Sequence, residues 1–217
     1  MNLKIKGMTK ILIAEDHAIV RESLVKALSK NLPDMIFAEA ENYSSVMNQM
    51  NKENWDLLIL DLNMPGRHGL DIIKDVKTLR PKIPILVLSM CPEDPFALRS
   101  IKAGAAGYLT KNTSLKELVQ AIKSILMSGQ YITSSVSRLM TEELQYDSTK
   151  SLHKTLTNRE FQVLLLIASG KRISDIALEL ALSVKTISVY RAKILEKMNL
   201  KNNSGIMQYA FKHGLIE

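Results

Sequence analysis

The sequence predicts an α/β protein, a doubly wound five-stranded parallel sheet, followed by a small all-α domain. Three observations carry that expectation. Short apolar runs alternate five times with longer amphipathic stretches in the first 130 residues, as strands and crossover helices must in a parallel sheet. Beyond about residue 155 only helical periods remain. The positive charge collects there too: residues 1–149 hold 18 Lys+Arg against 17 Asp+Glu, whereas residues 150–217 hold 11 against 5, a net of +6.

Taken in order, residues 1–8 are expected to form an arm outside the fold. The apolar runs are Ile11–Ala14, Ile36–Ala38, Leu57–Leu60, Ile85–Leu88 and Gly107–Leu109. Three of them are continuous rather than alternating, which suits strands buried on both faces. Helical patterns fall at about 17–30, 43–53, 68–79, 94–103 and 114–128. The joints Asn31-Leu32-Pro33-Asp34, Arg80-Pro81, Ala103-Gly104 and Ser128-Gly129 are turn or stop signals. The first domain is placed at 9–133. Residues 134–154, rich in Ser, Thr and charge, are expected to be a linker with at most one short helix around Ser137–Leu144. The second domain is placed at 155–217.

Composition narrows the function classes. Hydrophobic residues at 46% and charged residues at 24% permit a packed core and argue against a disordered chain. A single cysteine, Cys91, excludes an intramolecular disulfide and suits a reducing compartment. Only four apolar residues run together before Glu15-Asp16. A secretory core needs roughly 7–15 and a membrane span about 18, so a cytoplasmic location with no membrane partner is expected. A basic second domain points to a polyanion partner.

In an open parallel sheet, ligands gather at the carboxyl ends of the strands. Those ends carry Glu15-Asp16, Asp61, Ser89 and Thr110-Lys111. Three converging carboxylates repel one another unless a cation sits among them, and hard oxygen donors suit Mg²⁺. The ordered set, with Asp61 followed by Leu62-Asn63-Met64-Pro65-Gly66-Arg67-His68-Gly69, resembles the flavodoxin-like receiver domain of two-component response regulators over about residues 9–130. That resemblance implies Asp61 as phosphoacceptor, with Asp16, Asp61 and the Asn63 backbone carbonyl holding Mg²⁺ and Glu15 assisting through water. Lys111 would pair with the phosphoryl oxygens and Ser89 would donate to them. Tyr108 fits the aromatic switch position, with simple packing as the competing reading. Asn112 stands where the family often has proline, and Met90 where it has a small residue.

In the second domain, Thr157-Asn158-Arg159-Glu160 reads as a capping box, and Gly170 as the glycine that ends the helix it opens. Ser174 is expected to cap a short helix, Asp175 to Leu180. Ala181-Leu182 should turn, and Ser183 should cap a third helix reaching about Asn199. Val184, Ile187, Ile194, Leu195 and Met198 share one face and are expected in the core. Lys185, Val189 and Lys193 lie opposite, flanked by Thr186, Ser188, Tyr190 and Lys197, and this cationic face is the candidate DNA reader. Residues 156–215 resemble the DNA-binding domain of the LuxR/NarL/FixJ class. In the final helix, Ile206, Met207, Tyr209, Ala210 and Phe211 offer more apolar surface than one stripe needs. Either a dimer contact or internal packing would use it.

The two resemblances together imply a DNA-binding transcription regulator, not an enzyme. Its expected partners are a sensor histidine kinase as phosphodonor, double-stranded DNA, RNA polymerase and a second copy once phosphorylated. One rival is a regulator that works without phosphate through a vestigial receiver. Another is a phosphohydrolase, against which Asn63 stands where such enzymes carry a second aspartate.

Overall fold

The computed structural model describes residues 8–64, 67, 69–91, 93–145 and 152–216. The expected arm at 1–8 lies outside them except for Met8, and so do Pro65 and Gly66 of the loop after Asp61. The chain divides into two compact units, residues 1–140 and 141–217.

In the first unit β1 (Thr9–Ala14), β2 (Met35–Ala40), β3 (Leu57–Leu60), β4 (Ile85–Ser89) and β5 (Gly107–Thr110) form one parallel sheet in the order β2-β1-β3-β4-β5. Ala14 stands opposite Ala40 and Leu60, and Ser89 opposite Thr110, so the strand ends carrying the polar residues are in register along one edge. The helices between them are α1 (Ala18–Asn31), α2 (Tyr43–Lys52), α3 (Gly69–Leu79), α4 (Glu93–Ala103) and α5 (Leu115–Ser128). Side chains alternate across a sheet, and Ile11, Ile13, Leu57, Ile59, Leu86, Leu88 and Leu109 pack on one face against Leu28 of α1 and Leu118, Ile122 and Ile125 of α5. β1, β3 and β4 are buried almost throughout, as their unbroken apolar runs require. β2, at the edge, is half-buried and does not share that pattern.

Residues 134–145 form a helix, α6 (Ser134–Gln145), longer than the short helix the linker composition suggested. Thr133 holds its first turn: Val136 N–H donates to Thr133 Oγ1 and Ser137 N–H to the Thr133 carbonyl. The hydroxyl-rich tract that reads as loop is thus satisfied by local capping.

The second unit comprises a 3₁₀ turn (Leu152–Thr155), α7 (Asn158–Ala168), α8 (Ile173–Glu179), α9 (Val184–Lys197) and α10 (Asn203–Lys212). α7 is its hub, in contact with α8, α9 and α10, and is buried on nearly every side. Both halves of the Thr157–Glu160 capping box are formed, Gly170 has φ +81° just past α7, and Ser183 accepts from Thr186 N–H to cap α9. Ala181 turns the chain with φ +50°. Two expectations fail. Ser174 caps nothing, because α8 opens two residues earlier than expected, at Ile173 with Arg172 as N-cap, leaving the Ser174 hydroxyl to bond Asp175. Val184 is 52% exposed, because it opens α9 one turn before the helix reaches the core at Ile187, Ile194 and Met198.

Candidate functional site

Asp61 follows the fully buried β3 run, and its N–H donates to the Ala14 carbonyl at 2.9 Å. That bond pins it beside Glu15 and Asp16 at the end of β1, where strand order reverses. Glu15 and Asp61 are both buried. The Lys111 ammonium, at the end of β5, joins them, 2.5 Å from Glu15 Oε2 and 2.7 Å from Asp61 Oδ2. Burial alone would lower the lysine pKa, but Asp61 and Glu15 outweigh it and hold the ammonium above its ordinary value. Asp61 Oδ1 also accepts from Asn63 N–H at 3.1 Å.

The loop after Asp61 returns to the site through Gly69, whose N–H donates to the Leu62 carbonyl at 3.2 Å. A Cβ on Gly69 would lie 2.4 Å from Leu62 Cα, a backbone collision no rotamer relieves. The chain therefore needs glycine at position 69, where it returns to Leu62 beside Asp61.

Ser89 is fully buried at the end of β4, and Cys91 N–H reaches its Oγ at 3.4 Å. Tyr108 is also buried, with its hydroxyl donating to the Cys91 carbonyl at 2.8 Å. Burial, with Cys91, Asp61 and Glu93 adding to it, pushes the phenol pKa well up, so it stays a donor. The structure thus brings together Glu15, Asp16, Asp61, Asn63, Ser89, Tyr108 and Lys111.

Four residues on this rim were not legible from the motif. His17 Nδ1 lies 3.1 Å from Glu15 Oε1 and 2.9 Å from Asp16 Oδ1, and Asp16 and Glu15 raise its pKa. Its place directly after the acidic pair was the available signal. Arg21, one turn along α1, donates to the Glu15 carbonyl at 2.7 Å. Cys91 supplies backbone groups to both Ser89 and Tyr108, and its Sγ is 3.5 Å from Asn63 Oδ1. Glu93 follows two residues later.

Ligand atoms of Glu15, Asp16 and His17 lie within 4.8 Å of one another. Despite the short distance to His17, Asp16 Oδ1 is buried without a hydrogen bond: proximity there does not amount to donor geometry. An unanswered carboxylate oxygen among hard oxygen donors fits Mg²⁺.

In the second unit Lys185, Ser188, Val189 and Lys193 of α9 are exposed, and Thr186 and Tyr190 half-buried. The Ser188 hydroxyl donates to the Val184 carbonyl and Thr186 Oγ1 lies 2.7 Å from Ser183 Oγ. Lys197 differs from the rest. Its ammonium sits 2.7 Å from Glu160 Oε2, tying the end of α9 to the capping box of α7. Arg191 is spent inside the unit as well, its Nε donating to Asn203 Oδ1 at 2.6 Å. In α10, Ile206 and Ala210 are buried while Met207 and Phe211 are 42% and 71% exposed.

Comparison with known proteins agrees with both halves. A family model described as "Response regulator receiver domain" matches residues 11–123, and "Bacterial regulatory proteins, luxR family" matches residues 154–210. The response regulator GacA of Pseudomonas aeruginosa is 31% identical over 211 residues, 97% of this chain and 99% of that one. Among solved structures, RcsB from Salmonella enterica serovar Typhimurium, bound to promoter rprA with phosphomimetic BeF3-, has a TM-score of 0.62 at 28% identity, covering 93% of this chain and 97% of that one. A structure of two RcsB dimers bound to two parallel DNAs has a TM-score of 0.56 at 29% identity, with coverages of 93% and 97%. Among the described residues no helix is long and apolar enough to cross a membrane.

Proposed function

The chain belongs to the response regulators that carry a LuxR-type DNA-binding domain, and on that premise we propose that a sensor histidine kinase phosphorylates Asp61 to control DNA binding by residues 155–217. The observation that supports this best is the Lys111 ammonium held against two buried carboxylates. An Asp61 oxygen attacks phosphorus as the nitrogen–phosphorus bond of the donor histidine breaks. The transferred group is anionic and must be met by positive charge and donors. Lys111 turns to the phosphoryl oxygens and the Ser89 hydroxyl donates to them. Asp16, Asp61 and the Asn63 carbonyl would hold Mg²⁺, with Glu15 assisting through water. When bound there the ion supplies neutralisation of the phosphoryl charge. The Asn63 side chain is no general base, so the acyl phosphate persists long enough to act as a signal.

The displaced Ser89 lets Tyr108 reposition, and the altered receiver surface favours a second copy. On DNA, Thr186, Ser188, Val189 and Tyr190 of α9 face base edges, while Lys185, Lys193 and the helix N-terminus meet phosphates. Lys197, already paired with Glu160, orients that helix. Met207 and Phe211 of α10 contact the second copy, so that paired domains read paired half-sites. RNA polymerase is the partner expected at the bound promoter, and the cytoplasm the place of action.

Intact mass after incubation with Mg²⁺ and a small phosphodonor tests the assignment. Wild type should gain one phosphoryl group and Asp61→Ala none. No adduct on wild type would overturn it and leave a regulator that binds DNA without phosphate.

A further inference from the structure

From the same rim, Glu93 opens α4 four residues after Ser89 and reaches a different part of the chain. Its Oε1 accepts from Thr133 Oγ1 at 2.6 Å, and its Oε2 accepts from the Ser135 hydroxyl. Thr133 is also the residue that caps α6, through Val136 N–H at 3.2 Å and Ser137 N–H at 2.9 Å. Just before it, Tyr131 N–H donates to the Ala106 carbonyl at 2.8 Å, and Tyr131 forms a parallel bridge with Gly107 at the open edge of β5. The approach is so close that a Cβ on Gly107 would lie 2.7 Å from the Tyr131 carbonyl oxygen. Residues 131–136 therefore form a strap, bridged to β5 at one end and held to α4 at the other, with Val136 its buried end.

The same loop that ends in Glu93 begins with the switch groups. Cys91 offers its N–H to Ser89 and its carbonyl to Tyr108, and Tyr108 directly follows Gly107. Residues 89–91 thus touch the phosphoacceptor pocket, and Glu93 touches the first turn of α6. A carboxylate gripping two hydroxyls makes charge-assisted bonds, and such bonds weaken steeply once distance or angle is lost.

We infer that Glu93 is a clamp fastening the first turn of α6, the helix leading on to the DNA-binding domain, to the switch loop, so that movement of residues 89–91 releases it. The geometry stands by itself; the purpose rests on the phosphorylation of Asp61. A shift of the loop withdraws Glu93 from Thr133 and Ser135 together. Thr133 then serves α6 as a cap without an anchor, and the segment between the two domains gains freedom.

Hydrogen exchange on the full chain tests the clamp. Glu93→Ala should speed exchange at Val136 and Ser137 about tenfold or more, with β1 and β3 amides unchanged. Tyr108→Phe, which deletes only the hydroxyl bonded to Cys91, should act in the same direction and add nothing to Glu93→Ala. Unchanged protection at Val136 and Ser137 in Glu93→Ala, or full additivity of the two substitutions, overturns the clamp. If Glu93→Ala loosens α4 as a whole, Ser135→Ala decides instead: faster exchange at Val136 supports the clamp and no change overturns it. Phosphodonor with Mg²⁺ should open the strap in wild type and not in Asp61→Ala. An adduct by mass without opening overturns release of the clamp. Absence of any adduct overturns the Asp61 reading, while the Glu93 and Tyr108 arms still decide the clamp.

Discussion

Lys111 joins two carboxylates whose side chains are 3% and 2% exposed, and removal of one member from so buried a set leaves charge without a partner. Lys111→Met should therefore destabilise the receiver by on the order of 3 kcal/mol in urea denaturation. Millimolar Mg²⁺ should recover part of that loss, because a second cation among Glu15, Asp16 and Asp61 replaces the ammonium. Equal loss with and without Mg²⁺ would speak against a metal site at this rim. Gly69 illustrates a different constraint. Gly69→Ala should cost about 1–3 kcal/mol by forced overpacking, since the added carbon meets the backbone of Leu62. Asp61, Lys111 and Ser89 were legible in the sequence because each closes a recognisable strand. Glu93 was not, since its partners lie about 40 residues away and no local pattern marks them.

Among the elements, α7 and α9 are joined by Glu160, a buried carboxylate that caps α7 and receives Lys197. Burial raises its pKa, but bonds from Lys197 and Thr157 outweigh that and leave it lowered. A carboxyl lowered in the folded state contributes stability above its unfolded pKa and loses it as pH falls through the folded value. Thermal stability of the second domain should accordingly drop on acidification below about pH 4.3, and Glu160→Gln should flatten that dependence while lowering stability at pH 7. A helical wheel assigned Lys197 to the DNA face and Val184 to the core. Both lie in end turns of α9, where a long side chain folds back on a neighbouring helix and the first residue precedes the core. Of the expected core stripe, Ile187, Ile194 and Met198 are buried. On the outer face of α9, Lys185→Ala and Lys193→Ala should each lower the salt slope of DNA binding by about one.

At the scale of the whole molecule, charge and chemistry are segregated along the chain: residues 150–217 carry the net +6, while residues 1–149 are nearly neutral and hold the acidic rim. The matches to the two family models fall at residues 11–123 and 154–210. Residues 134–145 were the part least legible, because a tract of Ser, Thr and charge reads as loop until its caps are known. On the proposed reading, phosphorylation of the first half would change how readily two basic domains are presented together. Joined domains bind paired half-sites far better than single ones. The most direct measurement is the affinity of the full chain for a selected operator fragment, with and without Mg²⁺ and a phosphodonor, for wild type and Asp61→Ala. Wild type should tighten at least about tenfold on phosphorylation, as a typical coupling of 1–3 kcal/mol allows, and Asp61→Ala should not respond. Equal affinity under all four conditions would contradict control of DNA binding through Asp61.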